Sequence, residues 1–196
     1  MSIDAKAVAM LREQTGAGMM DAKRALEEAA GDTQKAAEIL RVKGITKAAS
    51  KTERETKEGR VHAYVHATGK LGVLVEVQCE TDFVARTEGF QALCNDLALH
   101  VAASAPLYVS RTEVPAEVVE KECALMTAEV EAQGKPAEIV QKIVEGKMEK
   151  YFSEICLLEQ AFVKDEEKNI NDVVAEAVAK LGENIQIRRF ARLQIG

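Results

Sequence analysis

Four cysteines and three histidines are the side chains in this sequence best suited to nucleophilic or metal chemistry, and their spacing speaks against both uses. Cys79, Cys94, Cys123 and Cys156 are widely separated and form no Cys-x-x-Cys, so the sequence holds neither a zinc knuckle nor a dithiol redox pair. Reduced, structural thiols are the expectation. His62 and His66 fall on an expected strand, where their separation is about 13 Å at about 3.3 Å per residue, too far for two imidazoles to share one ion. Cys94 and His100 share an expected helix but fall on different faces of it, so a thiol nucleophile with a histidine base would need help from elsewhere. Gly16-x-Gly18 follows a helix and lacks a third glycine, which excludes a dinucleotide fingerprint. No catalytic residue, metal ligand set or cofactor is expected.

A different kind of chemistry, recognition, is suggested by Cys79-Glu-Thr-Asp-Phe-Val-Ala-Arg86. Alternating apolar residues (Val73, Val75, Val77, Cys79) precede it, and a helical pattern (Phe90, Leu93, Cys94, Leu97, Val101) follows, so the stretch is a strand-to-helix corner. Phe83 is the unusual member. From pattern alone it either tucks under the following helix, with Thr81 or Asp82 as a helix cap, or stands out as a wedge.

Glu76-Val-Gln-Cys-Glu-Thr-Asp-Phe-Val-Ala-Arg86 resembles a motif of bacterial elongation factor Ts, the guanine nucleotide exchange factor of elongation factor Tu. The family form usually has Asn where Gln78 stands, while the centre, Thr81-Asp82-Phe83-Val84, is intact. A second family stretch lies near the start, Leu11-Arg-Glu-Gln-Thr-Gly-Ala-Gly-Met-Met-Asp-Ala-Lys-Arg-Ala-Leu26, and the resemblance extends over essentially the whole chain. It implies a protein that performs no covalent chemistry, binds elongation factor Tu in its GDP-bound and nucleotide-free states, and promotes exchange of GDP for GTP. In the family this corner disturbs the Mg²⁺ and phosphate site of Tu, with Phe83 as wedge and Asp82 as its polar companion. Longer members repeat the core; this chain has one copy, so the resemblance implies a homodimer.

Composition agrees with a folded protein-binding protein. An apolar fraction of 47% with 30% charged residues is ordinary for a globular chain, and 196 residues suffice for one medium core plus a small module. The net charge of -6 argues against a generic nucleic-acid or anionic-membrane surface. No apolar run reaches the ~18 residues needed to span a bilayer. Asp4 and Lys6 stand where a signal peptide would have its apolar core. The cytoplasm is the expected location.

The elements that position the corner follow from periodicity. The expected class is α+β: a three-helix bundle at 1–44, a charged linker at 45–59, and a core at 60–196 in which a three-stranded antiparallel sheet packs with helices. In the bundle, Ser2 is expected to cap a first helix bearing Ile3, Ala7 and Leu11; Gly16 and Gly18 break it. A second helix carries Ala22, Ala25, Leu26 and Ala29. A third, started by Asp32 or Thr33, carries Ala36, Ile39 and Leu40 and stops at Gly44. The bundle resembles the ubiquitin-associated domain that docks Ts proteins onto Tu, which makes Gly18, Met19 and Met20 its expected handle; the alternative is that the methionines are core.

In the core, Val61–Ala67 and Leu71–Val77 read as a hairpin about Thr68-Gly69-Lys70, and a helix from Gly89 to Ser104 covers it up to Pro106. Pro115 at a first helical position and Pro136 open two helices that pair as a hairpin at about 115–152. Leu157-Leu-Glu-Gln-Ala-Phe162 resembles a Ts-family segment that usually has Pro where Ala161 stands. Asn171 is expected to cap a helix ending at Gly182, and Ile185–Ile195 to add the third strand. Arg188, Arg189 and Arg192 on that strand could suggest RNA, but a solvated or edge-protecting face is the simpler reading. Two rivals remain, a ubiquitin-type adaptor binding through residues 1–44 alone and a thiol hydrolase; neither accounts for Thr81–Val84.

Overall fold

A computed structural model describes residues 4–196, apart from the side chains of Ile45, Lys47, Ala48 and Ala49. The chain forms two compact units, each assembled from separated stretches. The first contains the N-terminal region to His62, Glu76–Asn95 and Asp172–Ile187; the second contains Ala63–Val75, Asp96–Asn171 and Arg188–Gly196.

The first unit begins with helices α1 (Ala5–Thr15), α2 (Met19–Glu28) and α3 (Thr33–Ala49). Their core is small and alanine-rich: Val8, Leu11, Ala22, Ala25, Leu26, Ala29 and Ala36 are buried, with Ile39 and Leu40 packed on them. Short side chains let these helices approach closely. Asp4 caps α1, its carboxylate accepting from the Lys6 N–H at 3.1 Å, whereas Ser2 and Ile3, expected at this end, lie outside the described residues. Asp32 caps α3 by accepting from the N–H groups of Gln34 and Lys35 at 3.0 and 3.1 Å.

Helix α3 does not stop at Gly44 as expected; it runs on to Ala49 through the first part of the expected linker. Glycine ends a helix when its backbone turns left-handed, and within a helix it costs only about 1 kcal/mol relative to alanine. Contacts before and after the extra turns tie this stretch to α8 (Ile170–Leu181) and the residue that follows it. Arg41 pairs with Asp172 at 3.0 Å, and just beyond α3 Lys51 donates to the carbonyl of Gly182 at 2.6 Å.

The three-stranded antiparallel sheet predicted from the sequence is present, with β1 (Glu58–Val65), β2 (Leu71–Cys79) and β5 (Ile185–Gln194) in the order β1-β2-β5. Strand β2 alternates as its sequence dictates, burying Val73, Val75, Val77 and Cys79 and exposing Leu74. Gly59 is required: at φ +150 its backbone passes so near β2 that a Cβ would sit 2.2 Å from the Val77 carbonyl oxygen. After β2 come a single helical turn, α4 (Asp82–Ala85), and the long α5 (Glu88–Ser104), which buries Phe90, Leu93, Cys94, Leu97, Ala98 and Val101 at helical spacing.

In the second unit, α6 (Ala116–Glu131) and α7 (Ala137–Ile155) form an antiparallel hairpin around Val130, Val140, Val144 and Met148. Pro115 and Pro136 sit at the N-cap positions, one residue before the helical position expected for Pro115, with extended ψ of 137 and 145. The hairpin base is fastened by Arg111, whose guanidinium binds the carboxylates of both Glu149 and Glu159 and lies 4.6 Å over the Phe152 ring. A short ribbon absent from the sequence reading, β3 (Ala161–Phe162) with β4 (Asp165–Asn169), precedes α8. Asn171 is the second residue of α8 instead of its cap.

Arg192 has a structural task. Its guanidinium donates to the Ala102 carbonyl at 3.1 and 3.2 Å. In a continuing helix that oxygen would accept from residue 106, but Pro106 has no N–H, and Arg192 supplies the missing donor.

His100 is fully buried in the same unit. Its Nδ1 accepts from the Val163 N–H at 3.2 Å, so Nε2 carries the proton and donates to Gln160 Oε1 at 3.0 Å. Gln160 in turn donates to the carbonyl of Glu154 at 2.7 Å. Burial pushes the His100 pKa below its ordinary value. A histidine with a depressed folded-state pKa stabilises the fold above its unfolded pKa of about 6.5, and that stability is lost as pH falls from there through the folded-state value. The urea midpoint of the wild-type protein is therefore expected to drop more steeply between pH 7.5 and pH 5 than that of His100→Gln; parallel pH profiles would count against this role for His100.

Candidate functional site

The corner between β2 and α5 is built by its backbone. Thr81, extended at φ -129 and ψ 154, caps α4: its hydroxyl oxygen accepts from the Val84 N–H at 3.4 Å. Thr87 closes the far end, donating its hydroxyl to the Val84 carbonyl at 2.8 Å and accepting from the Phe90 N–H at 3.2 Å, which starts α5. Successive residues of a helical turn are rotated by about 100°, so Phe83 and Ala85 lie about 200° apart. Ala85 is buried, and Phe83 is therefore turned outward, with 81% of its surface exposed. The reading of Phe83 as a core residue is overturned by this geometry.

Asp82 lies beside the ring, its carboxylate paired with the Arg86 guanidinium at 2.8 Å, and Val84 is half-buried. All four residues, Thr81, Asp82, Phe83 and Val84, thus belong to one short segment presenting one exposed aromatic and one ion pair. A carboxylate that sequence reasoning missed holds this segment from behind. Glu183 Oε2 accepts from the N–H groups of Glu80 and Thr81 at 3.1 and 3.0 Å, and its Oε1 accepts from the Thr81 hydroxyl at 2.6 Å. No local pattern could have revealed it, because Glu183 follows α8 and is remote in sequence from the corner.

Gly18, Met19 and Met20 stand elsewhere, at the start of α2. Gly18 precedes the helix with an ordinary φ of -62, and Met19 and Met20 are 50% and 58% exposed, so neither methionine is core. Met10 on α1 is exposed as well.

The three buried thiols are poor nucleophiles. Cys79 and Cys94 are buried, and burial pushes their pKa values up to about 11 and about 12; burial raises that of Cys156 too. His100 is committed on both nitrogens. Among the described residues no cluster of histidine, cysteine and acidic side chains could hold a metal ion, and no helix is long and apolar enough to cross a membrane.

The corner displays an aromatic ring on a braced turn, and the chain has relatives among known proteins. The family model described as Elongation factor TS matches residues 4–178. The Elongation factor Ts of Anaeromyxobacter dehalogenans is 60% identical over 194 residues, covering 99% of this chain and 89% of that protein. Its counterpart from Fervidobacterium nodosum is 55% identical over 196 residues, covering the whole of both. That of Thermosipho melanesiensis is also 55% identical, covering 99% of each. With a family model matching residues 4–178 and relatives matched over nearly the whole chain, the chain belongs to the elongation factor Ts family.

Proposed function

We propose that this protein is the guanine nucleotide exchange factor of elongation factor Tu, acting in the cytoplasm during translation elongation, and that it loosens GDP by inserting the Thr81–Val84 corner beside Tu's Mg²⁺ and phosphate site. The observation that carries the reading is the 81% exposure of Phe83. A phenyl ring held outward on a braced turn offers a partner apolar surface whose removal from water is favourable. The displaced ion would be Tu's own. Mg²⁺ bridges and neutralises the nucleotide's phosphates, so disturbing its surroundings weakens GDP directly.

Exchange is linkage: a factor that prefers nucleotide-free Tu weakens nucleotide by the factor by which nucleotide weakens it. Reversing a two-state balance by ~10⁴ takes ~5.5 kcal/mol of differential binding. Burying one phenylalanine contributes about 1.5–3 kcal/mol. The ring therefore acts with other contacts, and we assign docking to the N-terminal bundle through Gly18, Met19 and Met20, whose adaptable thioethers suit an apolar partner surface. Nucleic acid has no part in this reading.

A homodimer completes it. Val65 on β1, Leu74 on β2, and Leu193 and Ile195 at the end of β5 are 69%, 49%, 75% and 72% exposed. These apolar side chains at one sheet suit a second copy of the chain, giving each subunit its own Tu to serve.

Three outcomes test these assignments. Phe83→Ala, at an exposed position, is expected to change stability by less than about 0.5 kcal/mol. It should keep binding Tu while slowing release of fluorescent GDP at saturation by about tenfold or more; equal acceleration by wild type and variant would remove Phe83 from the mechanism. Met19→Ala with Met20→Ala should instead raise the concentration giving half-maximal release and leave the maximal rate intact; an unchanged half-saturation point would take the methionines out of docking. Finally, sedimentation should give the wild type twice the 21.4 kDa chain mass, and Leu74→Glu with Leu193→Glu a single chain mass; a wild type monomeric at micromolar concentration would refute the dimer.

A further inference from the structure

We infer that Glu183 is a positioning residue for nucleotide exchange, its carboxylate holding the backbone of Glu80 and Thr81 and so setting where the Phe83 ring stands. This rests on the exchange reading above, but its structural basis is independent of it. Helix α4 has four residues, far below the ~12 at which an isolated helix becomes even marginally stable, so its geometry is imposed at its ends. Thr87 supplies one end. The other is Thr81, and Thr81 is held by Glu183 through both its N–H, at 3.0 Å, and its hydroxyl, at 2.6 Å.

The direction of those bonds matters. Because the Thr81 hydroxyl gives its proton to the carboxylate, only its lone pairs remain to face the chain, and one of them accepts the Val84 N–H. Glu183 thus orients the cap as well as the backbone before it. Hydrogen bonds to an ionised acceptor are shorter and roughly twice as strong as neutral ones. A third, from the Glu80 N–H at 3.1 Å, completes the grip.

Glu183 is itself fixed. Gly182, at φ +83, turns the chain out of α8. The next residue, Asn184, is 2% exposed and donates its side-chain amide to the carbonyls of Arg54 and Thr52 at 2.7 and 3.3 Å. The exchange is reciprocal, since the Glu80 carboxylate accepts the Asn184 N–H at 2.6 Å and pairs with Arg54 at 3.5 Å. Two acidic residues, each gripping the other's backbone neighbourhood, lock the corner to the turn after α8.

The test uses the full chain with Glu183→Ala and Glu183→Gln, each alone and combined with Phe83→Ala. In Glu183→Ala, hydrogen exchange at the amides of Glu80, Thr81 and Val84 should rise by about tenfold or more while amides remote from the corner keep wild-type protection. Its maximal rate of GDP release from elongation factor Tu should fall by about tenfold, with the half-saturating concentration moving by less than about twofold. Added to Phe83→Ala, it should change the rate by less than about twofold, because a residue acting only through the ring has nothing left to position. Glu183→Gln keeps an acceptor for the two N–H groups but loses the one for the hydroxyl, and should fall between; it carries the test if the alanine variant does not fold. Unchanged protection at the three amides, or effects of Glu183→Ala and Phe83→Ala that multiply, would overturn the inference. A wild-type protein that leaves GDP release unaccelerated would overturn the exchange reading instead, and the hydrogen-exchange arm, which involves no partner, separates the two failures.

Discussion

Ala85 and Phe83 share one turn of helix, and that turn can bury only one of them. The constraint is geometric, since residues two apart in a helix point in nearly opposite directions. Ala85 is the buried one, packed beneath the corner where β2 ends and α5 begins. With both ends of the turn capped, by Thr81 and Thr87, the ring cannot exchange places with the methyl group without breaking both caps. The exposure of Phe83 is thus a consequence of how the turn is braced, and the chain's own fold holds the ring outward. Preorganisation of this kind spares the ordering entropy that a floppy loop would lose on binding.

The ion pair beside the ring belongs to a different energetic class. Asp82 and Arg86 meet at 2.8 Å, but their side chains retain 46% and 80% exposure. A pair so open to water contributes roughly 0–1 kcal/mol. It keeps the carboxylate oriented at small energetic consequence, and Asp82 can trade Arg86 for other contacts with little loss. Rigid backbone and an exchangeable side-chain partner therefore coexist in one short segment, a division of labour consistent with the proposed insertion into Tu's charged site.

Much of the architecture was legible because it obeys simple periods. Val73, Val75, Val77 and Cys79 announce a half-buried strand, and Phe90, Leu93, Leu97 and Val101 a half-buried helix; both are as patterned. Other features escaped because their causes are tertiary. Gly44 reads as a stop, yet the groups that hold the chain before and after the added turns, the Asp172 carboxylate and the Gly182 carbonyl, come from a distant stretch. Ala161–Phe162 and the charged run Asp165–Asn169 are too short and too polar to signal a ribbon. For the corner, pattern left Phe83 poised between core and surface, since the outcome depends on which face of a single turn meets the interior. Glu183 is the extreme case, an ordinary surface-type residue made important by an unrelated segment that folds back onto it. Arg192 is similar: its value is that Pro106 leaves a helix carbonyl without a donor.

Cys79 sits at the root of this arrangement, buried at the end of β2 with its thiol donating to the Thr81 carbonyl at 3.2 Å. The same burial that raises its pKa to about 11 keeps the sulfur protonated at neutral pH. The thiolate is the form that attacks peroxides and disulfides, and this environment suppresses it. The sulfur that helps shape the corner is thereby chemically quiet, and the turn that carries the aromatic ring is rooted in an unreactive thiol.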